Sequence, residues 1–177
     1  HGGATPIVVV GETLVASDGR SLECLDLATG ERLAEAQLPD EIFKLVPRPD
    51  AVGLCVYGPT LAAIELSPEG FGQRLWERPV GLGVSVLECG GPYVAVQARD
   101  ERIELIEAVS GAPVWLRPAH GFDRMRDPRL LAIDADVLLL FDAGTRSLAA
   151  FDPVTRGLHW RAARQPDIRR ETRPALA

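Results

Sequence analysis

Three features of the 177-residue sequence predict an all-β fold, a β-propeller built of four-stranded antiparallel blades. A heptad ending in an acid occurs four times at near-regular spacing. Each copy is flanked by short apolar runs bounded by turn residues. No segment has the 3.6-residue apolar period of a packing helix. Repetition at roughly 40 residues, with four strand-sized runs in each repeat, is the pattern of propeller blades.

The heptads are "RSLECLD" (20–26), "PTLAAIE" (59–65), "ERIELIE" (101–107) and "RSLAAFD" (146–152), with starts 39, 42 and 45 residues apart. Position three is branched aliphatic: Leu22, Leu61, Ile103, Leu148. Position six is large and apolar: Leu25, Ile64, Ile106, Phe151. Position seven is always acidic: Asp26, Glu65, Glu107, Asp152.

The first two strands of each blade are predicted from the pair of apolar runs before the heptad. These are "PIVVVGETLVAS" (6–17), "FKLVPRPDAVGLCVY" (43–57), "VSVLECGGPYVAVQ" (84–97) and "RLLAIDADVLLLF" (129–141). Their breaks at Gly11, Asp50, Gly90-Gly91 and Ala135-Asp136 are mostly turn chemistry. The heptad is the third strand. The fourth is the run after it: "ERLAEAQL" (31–38), "GQRLWERPV" (72–80), "APVWLRPA" (112–119) and "GLHWRAA" (157–163). The predicted blades span 4–38, 42–80, 83–118 and 128–163, and the Arg- and Pro-bearing segment 164–177 is expected to be an extended or disordered tail.

The recurring acid has a structural task in this reading. Standing three residues before Thr29, Ser110 or Thr155, it can accept hydrogen bonds from the turn between the third and fourth strands. Gly30, Gly72 and Gly111 stand where that turn needs positive φ. The fourth copy has Arg156 there, with its Gly displaced to 157, so its turn is expected to differ. The closing position is Ala34, Trp76, Trp115 and Trp160, so all three tryptophans share one place in the repeat. A large flat side chain there suits the stacking of one blade on the next.

An acid, two residues, Thr or Ser, Gly, three residues and Trp is similar to the repeat of the pyrroloquinoline-quinone-type propellers. "IEAVSGAPVW" (106–115) matches best, with Glu for the usual Asp. "LDLATG" (25–30) follows it until Ala34 stands for Trp, and "FDPVTRGLHW" (151–160) keeps acid, Thr and Trp. The resemblance covers about residues 4–163. It implies a ring of about six to eight blades, so the four counted here are expected to be part of a larger ring. The repeat occurs in quinone-dependent dehydrogenases, in an outer-membrane assembly lipoprotein and in regulatory bacterial proteins.

Chemistry-bearing motifs are sparse. There is no vicinal cysteine pair, no Asn to ligate calcium, no nucleophile elbow, no phosphate-cradling Gly loop and no zinc-ligand spacing. No catalytic residue, cofactor or metal is therefore expected, and the chain is read as a non-enzyme. Its net charge of −6 argues against nucleic acid as a partner. That charge is uneven: residues 1–116 carry 8 basic and 17 acidic side chains, residues 117–177 carry 11 and 8. The asymmetry suits a head-to-tail contact. No apolar run is long enough to span a membrane. Cys24, Cys55 and Cys89, in strand-like runs without metal spacing, are expected to be small buried hydrophobes of a reducing compartment.

The longest connection between blades is "PAHGFDRMRDP" (118–128), and His120, Arg124, Arg126 and Arg129 are its candidate partner-binding residues. The resulting expectation is a non-catalytic bacterial module for protein–protein interaction, sensing or scaffolding. Its partner would be another protein, another segment of a parent protein, or a second copy completing the ring. It is placed in the cytoplasm. The alternative is a periplasmic propeller of the outer-membrane assembly type, and a quinone-dependent dehydrogenase fragment ranks below both.

Overall fold

The computed structural model describes residues 6–81, 83–99, 102–115, 122 and 125–163. Every regular element in that range is a strand. Blade 1 comprises β1 (Ile7–Val10), β2 (Thr13–Asp18), β3 (Ser21–Asp26) and β4 (Arg32–Gln37). Blade 2 comprises β5 (Ile42–Pro47), β6 (Val52–Tyr57), β7 (Thr60–Glu65) and β8 (Arg74–Pro79). Blade 3 has β9 (Val84–Gly90), β10 (Tyr93–Ala98) and β11 (Ile103–Glu107). Blade 4 has β12 (Pro128–Ile133), β13 (Leu138–Asp142), β14 (Ser147–Phe151) and β15 (Leu158–Ala163). Each sheet is an antiparallel meander in chain order, as the propeller reading requires.

Blade 3 departs from the expected pattern, for its sheet has three strands. The predicted closing run (112–119) contributes only an isolated bridge, Ile106 to Pro113, and a hydrogen bond from the Val114 amide to the Leu105 carbonyl. Pro113 has no N–H to give a ladder, and Trp115 turns inward to 5% exposure. The rest of that run lies outside the described residues.

In blades 1, 2 and 4 the third and fourth strands slip register at the same repeat position: Cys24/Leu25, Ala63/Ile64 and Ala150/Phe151. A bulge there twists the strand end just before the acid and aims the turn.

Pleating sends alternate heptad positions to opposite faces. Leu22 lies in a core shared by blades 1 and 2, Leu61 in one shared by blades 2 and 3, and Ile103 in one shared by blades 3 and 4. Position three thus faces the following blade. Position six faces the preceding one: Ile64, Ile106 and Phe151 lie in those same three cores. The cores are therefore sandwiched between blades, and a blade alone has none. Gln97, 2% exposed, adds a polar clamp between blades 3 and 4. Its amide donates to the Pro128 carbonyl at 2.7 Å and its oxygen accepts from the Leu130 amide at 2.9 Å.

The inner strands pack in series, β1 on β5, β5 on β9 and β9 on β12, with no comparable packing of β12 on β1 among the described residues. The four blades form an open arc. Cys24 and Cys55 are fully buried; Cys89 is only half-buried, and all three are unpaired thiols. Burial pushes the Cys55 thiol up to about 12 and raises Cys24 and Cys89 as well.

Candidate functional site: the repeat turns and the open ends of the arc

The turn after each heptad is built by its acid. Asp26 Oδ1 accepts from the amides of Ala28 (3.0 Å) and Thr29 (2.7 Å) and from the Thr29 hydroxyl (2.9 Å). Asp152 Oδ1 accepts from the amides of Val154 (2.9 Å) and Thr155 (2.6 Å). These donors, the threonine amides foremost, hold both carboxyls below the usual carboxylate range. Glu107, one methylene longer, accepts from the Ser110 hydroxyl at 2.8 Å. Glu65, in the copy with the longer loop, receives the Ser67 amide at 3.4 Å.

Gly30, Gly72 and Gly111 take φ of +72°, +80° and +71°. Arg156 takes +63°, and its amide reaches the Asp152 carbonyl at 3.0 Å, as the Gly30 amide reaches that of Asp26 at 2.9 Å. The fourth turn therefore does not differ as the sequence suggests: an arginine occupies the left-handed position in place of glycine. Its guanidinium lies 4.4 Å from the Trp115 ring centroid. The two effects oppose. Left-handed backbone costs an L-residue roughly 1–2 kcal/mol, and a cation over an indole returns about 0.5–1 kcal/mol. Arg156→Ala keeps the strain and loses the stacking, so it should lower unfolding stability by about 0.5–1 kcal/mol. Arg156→Gly relieves the strain and should match or exceed the parent in urea denaturation; equal midpoints for the two variants would contradict this account.

Each tryptophan that has a following blade is seated on that blade's turn. The Trp76 indole N–H donates to the Ala108 carbonyl of blade 3 at 3.1 Å, and that of Trp115 to the Pro153 carbonyl of blade 4 at 2.7 Å. Both acceptors directly follow a heptad acid. The residue at the left-handed position also meets the ring. A Cβ on Gly111 would stand 2.7 Å from the Trp76 indole, and Arg156 lies over Trp115. Around Trp115 the rings of Phe122 and Phe151 continue the stack, with centroids 5.7 and 5.2 Å apart. No blade follows Trp160 among the described residues, and it is 48% exposed. Trp76 and Trp115 thus contact the following blade.

The two ends of the arc expose what the interior repeats bury. On blade 4, Leu148 at position three is 37% exposed, whereas Leu22, Leu61 and Ile103 are at 0%. On blade 1, Ile7 and Val9 of β1 are 59% and 54% exposed. Leu27, which follows the acid Asp26, is 51% exposed while its counterparts Leu66, Ala108 and Pro153 are buried. No position-by-position sequence signal marks these residues as exposed. Only their place in the first or last repeat does.

Of the predicted loop residues, Arg126 and Arg129 are described. His120 and Arg124 lie outside the described residues. Arg129 pairs with Asp127 at 2.9 Å, and Arg126 contributes its backbone amide to the buried carboxylate of Asp142. Asp142, unmarked by the repeat pattern, also receives the amides of Asp127 (3.1 Å) and Gly144 (3.0 Å) and the Thr145 hydroxyl (2.7 Å). Burial pushes its pKa up, but these donors outweigh it and hold the carboxyl at about 2. A cleft of about 440 Å³ between blades 2 and 3 brings the exposed ring of Phe43 near Asp40, Pro59 and Arg99. No three His, Cys, Asp or Glu side chains gather as a metal site among the described residues. No helix among them is long and apolar enough to cross a membrane.

The chain is thus a β-propeller arc with four blades, its two end faces unpaired among the described residues. BamB from Moraxella catarrhalis superposes with a TM-score of 0.66 and 19% identity, over 92% of this chain and 49% of that one. Kuenenia stuttgartiensis hydrazine synthase gives 0.64 and 19%, over 91% and 49%. The computationally designed Ika4 protein gives 0.64 and 18%, over 86% of this chain and 92% of that one. This chain spans about half the length of BamB and of hydrazine synthase. At these identities the likeness shows the fold alone. No family model matches the chain, and no curated protein matches it.

Proposed function

We propose that this chain is a non-catalytic propeller module for protein–protein interaction, sensing or scaffolding in a bacterial multi-domain or multi-subunit system. One observation carries the reading: the apolar end faces of the arc, Ile7, Val9 and Leu27 on one side and Leu148 and Trp160 on the other, stand in water. Exposed apolar patches of this kind mark contact surfaces, and these sit on the faces that blades use to bind blades. The recurring acids serve as hydrogen-bond acceptors in the turns, which supports a structural task for them. Three unpaired thiols suit a reducing compartment, the cytoplasm.

The test is a photo-cross-linking residue placed at 160 or at 9 in the protein expressed in its native host. The expected result is covalent adducts with a polypeptide, from either site, that disappear when the residue is moved to an exposed outer position such as 35. Irradiation that yields no polypeptide adduct at either end would defeat the reading.

A further inference from the structure

We propose that blade 4 of one chain docks on blade 1 of a second copy, so that two arcs close a single eight-bladed ring through two equivalent junctions. The inference rests on reading the end faces as contact surfaces, and it names their occupant.

The argument is the geometry of the interior junctions. Where blade 2 meets blade 3, the Trp76 ring lies on Gly111 and its N–H reaches the carbonyl of Ala108. Where blade 3 meets blade 4, Trp115 sits under Arg156 and its N–H reaches the carbonyl of Pro153. Blade 4 carries the donor half of this junction in Trp160. Blade 1 carries the acceptor half in full. Gly30 is held at φ +72°, with nothing within 4 Å of where a Cβ would stand. The Leu27 carbonyl follows the acid as Ala108 and Pro153 do, and the Leu27 side chain stands exposed. Trp160 of one chain thus has its seat on the partner's Gly30 and Leu27. The apolar surfaces match as well: Leu148 meets the side of blade 1 that bears Ile7, Val9 and Leu25.

Three further facts favour a second copy over an unrelated partner. The sequence is acidic over residues 1–116 and basic over 117–177, an asymmetry that suits a head-to-tail contact between two copies. Two arcs, each matching 49% of BamB and of hydrazine synthase, add up to a body of the size of those chains. Ika4, matched over 92% of its length, is a separate chain of one arc's extent.

The experiment is light scattering behind a sizing column, run over a dilution series on the whole chain and on Trp160→Arg and Val9→Arg. Both side chains are about half exposed, so the variants should fold, and their β-sheet circular dichroism checks that they do. The parent should elute at twice 19.1 kDa. Each variant, losing both junctions, should dissociate at least ~30-fold more readily, as truncating a central aromatic anchor does. An equimolar mixture of the two variants retains one intact junction and should show intermediate association. A parent that stays monomeric at all concentrations overturns the proposal. So does a dimer that neither substitution weakens, or growth into open polymers. Cross-links from position 160 to a different protein, with none to a second copy, would sink this inference while leaving the interaction function standing.

Discussion

Trp115→Ala is expected to lower unfolding stability by about 3–5 kcal/mol, the range for deleting a buried tryptophan. The side chain is 5% exposed and belongs to the core between blades 3 and 4, packed with Phe122 and, through it, Phe151. Its removal takes away one end of that aromatic stack, orphans the Pro153 carbonyl and frees Arg156 from the ring it lies over. Blade 3 has no regular fourth strand among the described residues, so Trp115 does much of the work that a closing strand does elsewhere. Blade 4 should loosen first, visible as early hydrogen exchange in β12 and β13. Trp115→Phe keeps an aromatic ring but loses the hydrogen bond and part of the volume, and should cost about half as much. The control is Trp160→Ala: the same residue type at the same repeat position, half exposed, should cost a monomeric arc under ~1 kcal/mol. Urea denaturation of the three variants decides it, and equal losses at 115 and 160 would show that the packing account is mistaken.

That contrast shows how far the sequence could be read. The repeat places all three tryptophans at one position. What the repeat cannot encode is which copies stand at the ends of an arc. Leu148 and Leu61 are indistinguishable by pattern, yet one stands 37% exposed and the other is sealed, because burial here is supplied by a neighbouring blade. The lack of a regular fourth strand in blade 3 among the described residues is less legible. "APVWLRPA" has the apolar content of its counterparts, and Pro113 is the one local signal against it. Arg156 misleads in the opposite direction: glycine is the residue expected at positive φ, but the Asp152–Thr155 turn is formed well enough to hold an arginine there, helped by the ring beneath it. Of the four candidate loop residues two are described: the Arg126 amide reaches Asp142, and Arg129 pairs with Asp127.

Asp142 carries the other large expectation, and no motif predicts it. It follows the apolar run "VLLLF" in an ordinary hairpin, and only the fold shows that its fully buried carboxylate collects the amides of Arg126, Asp127 and Gly144 and the hydroxyl of Thr145. Those bonds fasten the end of the long connection to the β13–β14 hairpin and so fix where β12 begins. Asp142→Ala leaves three amides and a hydroxyl without their acceptor and should cost about 3 kcal/mol or more; Asp142→Asn keeps one acceptor oxygen and should cost about 2 kcal/mol. The pH dependence separates the charge from the shape. The carboxyl titrates at about 2 in the folded chain, against an ordinary value of 3.8. A depressed folded pKa gives stability that is fully present above the unfolded value and is lost as pH falls through the window down to the folded one. The stability gap between the parent and Asp142→Asn should therefore be constant from pH 7 to about 5, narrow between about 4 and 2, and stop changing below that. Asp26 and Asp152 titrate alike in both proteins and drop out of the difference. Urea unfolding of the pair at several pH values measures it directly. A gap that stays the same down to pH 2 would mean that Asp142 acts through its shape and not its charge.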